Sequence, residues 1–199
     1  MRRSELGFTL IEVMIALVLM SIVSLIAWRG LDSVTHADTS LKDRNEQAFE
    51  LLRALNQLER DVEMRANIEL SASSTPGRDT PVAALTVEGR EQQGFRLDVV
   101  RRSASQPGSL QRISWWVEDG ILYRAVGQPR KRYPVPAPKD GVAVLEHLQS
   151  SQLRVWEAGR GWRLLSGNSQ TNPLGVEIEL VRKTPQGLER YRQVLGPLN

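Results

Sequence analysis

The sequence contains no cysteine and only two histidines, two residue types that often form metal and catalytic sites. Without cysteine there can be neither a disulfide framework nor a thiolate metal site. The two histidines, His36 and His147, lie far apart and lack the spacing of metal ligands. The sequence has no Gly-x-Ser-x-Gly segment and no glycine-rich phosphate loop. We therefore expect no bound metal, no cofactor and no catalytic activity.

A large excess of charge of one sign is also missing. The 26 lysines and arginines nearly balance the 23 aspartates and glutamates, which gives a net charge of +3 spread along the chain. Nucleic-acid-binding domains instead concentrate basic residues in a patch or stripe, so we expect no nucleic-acid partner. The 199 residues are enough for an N-terminal segment followed by one compact domain.

Charge is scarcest in residues 8–28, an apolar run in which Glu12 is the only ionisable residue. As a helix with a rise of about 1.5 Å per residue, this run is about 30 Å long, which matches the hydrocarbon core of a bilayer. Arg2 and Arg3 precede it, as is typical of a cytoplasmic flank. We predict one transmembrane segment, in which the costly carboxylate of Glu12 needs a partner.

Proline is absent up to residue 75, so we expect the helix to continue through residues 29–70. Apolar residues recur there at the spacing of an amphipathic helix. A globular domain covers only part of such a length. We predict that the domain buries the C-terminal members of the stripe, Leu51, Leu55, Leu58 and Val62. The N-terminal members are predicted to pack against partner helices: Val34, Ala37 and Leu41.

From residue 71 onward the sequence predicts a β-rich domain. Residues 71–81 are rich in serine and proline and form a loop. Short apolar or alternating segments predict strands at 83–87, 95–100, 112–117, 121–126, 152–157, 162–165, 176–181 and 188–194. Hairpin turns are expected at Asp119-Gly120 and at residues 184–187, and a proline-rich surface crossing at 128–139. The predicted fold class is α+β, with a long N-terminal helix packed on antiparallel sheets.

Two groups of side chains in this domain could form a site. Four tryptophans could make a ligand platform, although packing within the sheets is the favoured interpretation: Trp115, Trp116, Trp156 and Trp162. Glu177 and Glu179 share one face of a predicted strand whose other face is apolar. We predict that both carboxylates face solvent and do not form a catalytic pair.

The N-terminal run has two simpler interpretations. It could be a cleaved secretory signal peptide, but the length of the run and the position of Glu12 at its head argue against that interpretation. It could also be a plain signal anchor, which would give Glu12 no role.

The segment Gly-Phe-Thr-Leu-Ile-Glu at residues 7–12 follows a short basic leader and resembles the signal of type IV pilins and type II secretion pseudopilins. The resemblance implies that residues 1–7 are a leader, which prepilin peptidase removes by cutting after Gly7. Phe8 then becomes the N-methylated first residue of the mature chain. Glu12 corresponds to the glutamate that pairs with the N-terminal amine of a neighbouring subunit. A buried carboxylate and a buried ammonium are each costly alone and tolerable together.

Within this superfamily, several looser segments resemble the J-type minor pseudopilins: residues 58–61, residues 109–113, the pair Trp156 and Trp162, and residues 173–178. The resemblance implies a non-catalytic subunit that joins I- and K-type minor pseudopilins at the tip of a filament of major pseudopilin. It also implies an inner-membrane protein with one spanning segment and a periplasmic C-terminal domain. Two alternatives stay open here: a type IV pilus minor pilin, and a membrane-anchored periplasmic ligand-binding module that uses the tryptophans.

Overall fold

The computed structural model describes residues 9–66, 70–71, 81–90, 94–165, 167–168 and 173–198. The chain divides into two compact units, Met1–Phe49 and Glu50–Asn199. One helix, α1 (Leu10–Glu63), supplies the described secondary structure of the first unit and the opening element of the second.

All other described elements of the second unit are strands. In chain order they are β1 (Leu70–Ser71), β2 (Pro81–Val82), β3 (Leu85–Arg90), β4 (Gly94–Arg102), β5 (Leu110–Glu118), β6 (Ile121–Val126), β7 (Gly141–Leu145), β8 (Leu148–Glu157), β9 (Gly161–Leu164), β10 (Gly167–Asn168), β11 (Val176–Thr184) and β12 (Gly187–Leu195). They form a two-stranded sheet β1-β2, a six-stranded sheet in the order β10-β3-β4-β5-β6-β7, and a four-stranded sheet in the order β12-β11-β8-β9. Every pairing among the described strands is antiparallel, and together with the long helix this confirms the predicted α+β class.

One hydrophobic core joins the helix to both large sheets. The C-terminal part of α1 contributes five residues: Leu51, Ala54, Leu55, Leu58 and Val62. They pack with inward-facing residues of the strands, of which Phe95, Leu97, Trp115, Leu122 and Ile178 are among the most deeply buried. The prediction that Leu51, Leu55, Leu58 and Val62 are buried in the monomer is therefore confirmed.

The helix ends at Glu63, not near residue 70 as the sequence predicted. The backbone of Arg65 pairs with Arg101 of β4, and the Ala66 N–H donates to the Val100 carbonyl at 2.8 Å. Strand β3 first pairs with β4 at Leu85, opposite Val99. Residues 65–66 therefore lie beside the end of β4 that β3 does not cover, and this tertiary pairing ends the helix before any local break in the sequence.

The two predicted hairpins are confirmed. Glu118 pairs with Ile121 across Asp119 and Gly120, whose φ angles are 50° and 74°. Two positive φ angles in a two-residue turn match the twist of the flanking strands, and Asp-Gly adopts them at low cost. The second hairpin closes on the pair Thr184 and Gly187, around Pro185 and Gln186.

The proline-rich crossing is more than a surface loop. Arg130 pairs with Leu110 at the start of β5, and Val135 is buried. Val135 belongs to a small second cluster with Ala66, Ala84 and Val100. The crossing thus packs on this second cluster, next to Ala66, which follows the end of the helix.

The carboxylate of Asp61, in the last turns of α1, is fully buried. It accepts hydrogen bonds from Trp115 Nε1 at 2.9 Å and from Gln57 Nε2 at 3.0 Å. Arg124 donates to it through Nε at 2.7 Å and Nη2 at 3.1 Å, and Arg101 Nη1 lies 3.0 Å away. Because β4, β5 and β6 each supply one of these partners, a single carboxylate fixes the helix against three neighbouring strands.

A second buried carboxylate corrects the sequence analysis. Glu177 of β11 is only 1% exposed, whereas it was predicted to face solvent. Arg154 of β8 approaches it to 3.2 Å, and Arg192 Nε of β12 donates to it at 2.8 Å. The two long arginine side chains cover the carboxylate from both neighbouring strands. Glu179 remains partly exposed and pairs with Arg190 at 3.2 Å.

Replacing the buried Asp61 carboxylate with an amide should strongly destabilise the second unit. Asp61→Asn leaves Arg101 and Arg124 without their counter-charge in the core, and breaking a buried ion pair costs about 3–5 kcal/mol. Urea-induced unfolding measures the loss. Asp38→Asn is the matched control, since the exposed Asp38–Lys42 pair should contribute about 0–1 kcal/mol. Equal stability of the two variants would show that the buried pair does not hold the helix.

Candidate assembly surface of the helix

The first unit contains a helical segment, Leu10–His36, that is long and apolar enough to cross a membrane. Its 27 residues span about 40 Å at 1.5 Å per residue, more than the ~30 Å of a bilayer core. Its large apolar side chains are all exposed in the monomer. The only charges in it are Glu12 near its start and Arg29 and Asp32 near its end.

Thr9 caps the first turn of this helix. The Glu12 N–H lies 3.1 Å from the Thr9 carbonyl oxygen and 3.4 Å from its hydroxyl oxygen. Thr9 and Glu12 have the spacing of a capping box, and a carboxylate in the first turn is favoured by the positive end of the helix dipole. Local geometry therefore accommodates Glu12 at this end of the helix.

The Glu12 side chain nevertheless lacks a cationic partner within the apolar run. It is exposed, and no basic residue occurs between Thr9 and Trp28. Any counter-charge for Glu12 would therefore come from outside this stretch. The predicted cleavage and methylation positions, Gly7 and Phe8, lie outside the described residues, so that part of the prediction stays a prediction.

After residue 28, the helix still carries bulky apolar side chains that are exposed in the monomer. Val34 is 65% exposed and Leu41 is 57% exposed. That they pack against a partner helix stays a prediction. Nothing is described of the Ala37 side chain, the third predicted member. Phe49, 60% exposed, was missed by the sequence analysis. It lies eight residues after Leu41, a spacing that belongs to the same broad helix face and that could have identified it.

Polar pairs mark the rest of this helix surface as water-facing. Asp38 and Lys42 are 2.7 Å apart, and Asp32 and His36 are 3.6 Å apart, each pair one turn apart and exposed. Such pairs stabilise an isolated helix modestly. Bulky apolar residues among them are therefore candidates for burial by another chain.

The described residues offer little for catalysis or ligand binding. They contain no group of three or more histidine, aspartate or glutamate side chains placed to hold a metal ion. The four tryptophans do not form one platform. Trp115 is buried beside Asp61, Trp116 stacks on Tyr123 at 5.3 Å, and Trp156 meets Trp162 edge-on at 5.4 Å in the other sheet. The ligand-binding alternative therefore loses the surface on which it rested.

Known proteins resemble the chain over nearly its whole length. Residues 29–194 match the family described as type II secretion system (T2SS), protein J, and residues 2–28 match the prokaryotic N-terminal methylation motif. A type II secretion system protein J of Klebsiella pneumoniae is 28% identical over 204 aligned residues, which cover 98% of this chain and 97% of the relative. The protein of the same name from Escherichia coli K12 is 30% identical over 187 residues, covering 92% and 84%.

These matches favour the secretion pseudopilin over the pilus minor pilin, because the matched family is a component of the type II secretion system. Proteins of this family are structural pseudopilins and are not known enzymes. The methylation motif and the exposed apolar helix agree with a membrane anchor at the N-terminus. The chain therefore belongs to the protein J family of the type II secretion system and is a minor pseudopilin with a membrane-anchored N-terminus.

Proposed function

We propose that this pseudopilin is part of the tip complex that primes pseudopilus assembly and thereby supports protein export across the outer membrane. Its partners in this proposal are the I- and K-type minor pseudopilins and the major pseudopilin. The apolar segment anchors the chain in the inner membrane, and the unit Glu50–Asn199 lies in the periplasm. The observation that carries the proposal is a helix with unpartnered apolar side chains both within and beyond the length of a bilayer.

The role proposed for Glu12 follows from its isolation in the apolar run. An ionised carboxylate in a spanning helix costs about 2.5–3.5 kcal/mol at the bilayer centre and less near the interface. Removal of residues 1–7 would create a positive amine at Phe8. An N-methylated amine stays protonated, so the amine of a neighbouring subunit can pair with the Glu12 carboxylate. The pairing offsets both desolvation costs and makes entry into the filament favourable.

The role proposed for the exposed helix face follows from its composition. Val34 and Leu41 are large, apolar and exposed, and both follow the apolar run at residues 8–28. Contact with the apolar stripe of another pseudopilin helix would remove these side chains from water, at about 25 cal/mol per Å² of apolar surface buried. Ala37, between them in sequence, would let the partner backbone approach closely. Phe49 extends the same interface.

Processing is expected to occur between Gly7 and Phe8. The mature chain should begin with N-methyl-Phe8, and Gly7→Leu should leave the precursor intact, because the peptidase requires a small residue before the cut. Intact-mass measurement of the membrane-extracted protein checks both statements. A wild-type chain that keeps Gly7, or that is cut after Ala27 like a secretory protein, would contradict this assignment.

Removing the Glu12 carboxylate should impair assembly without impairing insertion. Glu12→Ala should be inserted and cleaved normally, whereas its incorporation into tip complexes should fall at least about tenfold, since a neighbour's buried amine loses its counter-charge. Co-purification after cross-linking measures incorporation, and membrane fractionation measures insertion. Ser21→Ala is a suitable control, because the Ser21 hydroxyl only bonds to the Leu17 carbonyl of its own helix. Normal incorporation of the alanine variant would refute the pairing.

A charge at Leu41 should weaken partner binding and leave the fold intact. Leu41→Asp places the carboxylate on an exposed helix position, so the melting temperature should stay within error of wild type. Capture of I- and K-type pseudopilins by the protein should fall by about tenfold or more. Leu55→Asp is the contrasting variant, since it buries an unpaired charge in the core and should unfold the second unit. Unchanged capture by the Leu41 variant would mean that the partners bind elsewhere.

A further inference from the structure

Within the described residues, the two large sheets have four edges, and three of them are poorly suited to pairing with another strand. Strand β10 has two residues and β9 has four. Strand β7 has five, and a register shift interrupts its pairing with β6. Strand β12 has nine residues in unbroken register with β11 and contains no proline. Proteins usually blunt their sheet edges with short or bulged strands, so a long regular edge stands out.

The hydrogen-bond pattern fixes which backbone groups of β12 face this edge. Odd-numbered residues at both ends of β11 bond towards β8: the Lys183 N–H donates to the His147 carbonyl, and the Gly175 carbonyl accepts from Trp156, both at 2.9 Å. By the alternation of an antiparallel ladder, even-numbered residues of β11 bond to β12. Their partners on β12 are the odd-numbered residues 187–195. The N–H and C=O groups of the even-numbered residues therefore point away from β11, to an edge that no described strand covers: Leu188, Arg190, Arg192 and Val194.

The side chains of the same four residues form a row on the outer face of the sheet. The row runs apolar, basic, basic, apolar, and its members are exposed. The side chains of Arg190 and Arg192 are 73% and 57% exposed, whereas their partners Glu179 and Glu177 lie deeper in the sheet. The positive charge of these pairs is therefore displayed at the edge, and the negative charge is beneath it.

On the opposite face of β12, Leu195 is buried and Tyr191 packs against the core, whereas Glu189 is exposed. The Tyr191 hydroxyl donates to Glu189, and burial together with this carboxylate raises the pKa of Tyr191 to about 12. The phenol thus stays protonated and keeps its hydrogen bond at physiological pH. A strand added to the edge would accordingly be recognised through the outer row.

A second copy of this chain fits the edge badly. In a symmetric antiparallel pair centred on Tyr191, Arg190 of each copy would face Arg192 of the other. A pair centred on Arg190 or on Arg192 would place that arginine opposite itself. Like charges directly opposite each other destabilise a strand pair. The three registers centred on the middle of β12 are therefore unfavourable for a second copy, and a strand of complementary charge fits them better.

We propose that β12 is a docking edge for an extended segment of a partner polypeptide. That segment adds antiparallel to the sheet, with acidic side chains opposite Arg190 and Arg192 and apolar side chains opposite Leu188 and Val194. Main-chain hydrogen bonds provide the affinity, and the alternate side chains provide the selectivity. This surface is separate from the helix face through which we propose assembly with other pseudopilins.

The test uses the full chain in detergent micelles and two synthetic peptides, Val-Thr-Glu-Thr-Glu-Thr-Val and its counterpart with lysine in place of glutamate. The glutamate peptide should bind about tenfold more tightly, and the difference should shrink in high salt. Amide hydrogen exchange followed by NMR gives the structural signature. Binding should slow the exchange of the amides of Leu188, Arg190, Arg192 and Val194, while Glu189, Tyr191 and Gln193 are already protected by β11.

Two variants at one position separate backbone pairing from charge. Arg190→Pro removes an N–H that the ladder with β11 does not use, so the fold should survive and peptide binding should be lost. Arg190→Ala keeps that N–H and should lose only several-fold in affinity. The proposal is overturned if the two peptides bind equally, if the proline variant binds like wild type, or if saturating peptide leaves the four edge amides exchanging as before. The exchange measurement needs no variant, so it decides the matter even if the proline variant unfolds.

Discussion

In the second unit, the position of the helix on the sheets depends on one buried carboxylate, that of Asp61. Hydrophobic contacts such as those of Leu55 and Leu58 would tolerate a shift of the helix along the sheets, because apolar surfaces have no preferred direction. Asp61 does not tolerate such a shift, since its donors Trp115, Arg101 and Arg124 stand at fixed positions on three adjacent strands. The apolar stripe thus supplies the driving force for docking, and the carboxylate fixes the rotation and position of the helix.

The same helix obeys a different constraint in the first unit. There the large apolar side chains, Val34, Leu41 and Phe49 among them, are exposed. Such side chains are satisfied only by lipid or by other chains, which agrees with the assembly role of a pseudopilin. One continuous helix can therefore serve two environments, because a helix satisfies its backbone hydrogen bonds internally and leaves only its side chains to be matched.

The buried charge of the four-stranded sheet is also paired with side chains from neighbouring strands. Glu177 is tolerated in a buried position because Arg154 and Arg192 reach it from both neighbouring strands. The arginines need their long side chains for this, and their heads stay partly in water. The result is a sheet in which Glu177 is buried while its partner Arg192 remains largely exposed on the edge strand, an arrangement that no single strand shows by itself.

The sequence alone determined the features that depend on neighbours along the chain. The apolar run with Glu12, the amphipathic continuation, the Asp119-Gly120 turn and the approximate strands all follow from local periodicity and turn chemistry, and so does the burial of Leu55. Only the tertiary structure decided where the helix ends, because Glu63 is its last residue owing to the pairing of Arg65 with distant Arg101. It also decided that Asp61 and Glu177 are buried, since alternation along a strand reveals which face a carboxylate occupies but not whether arginines from other strands will cover it. Those partners are brought together by strand order, and strand order is not encoded in any local pattern.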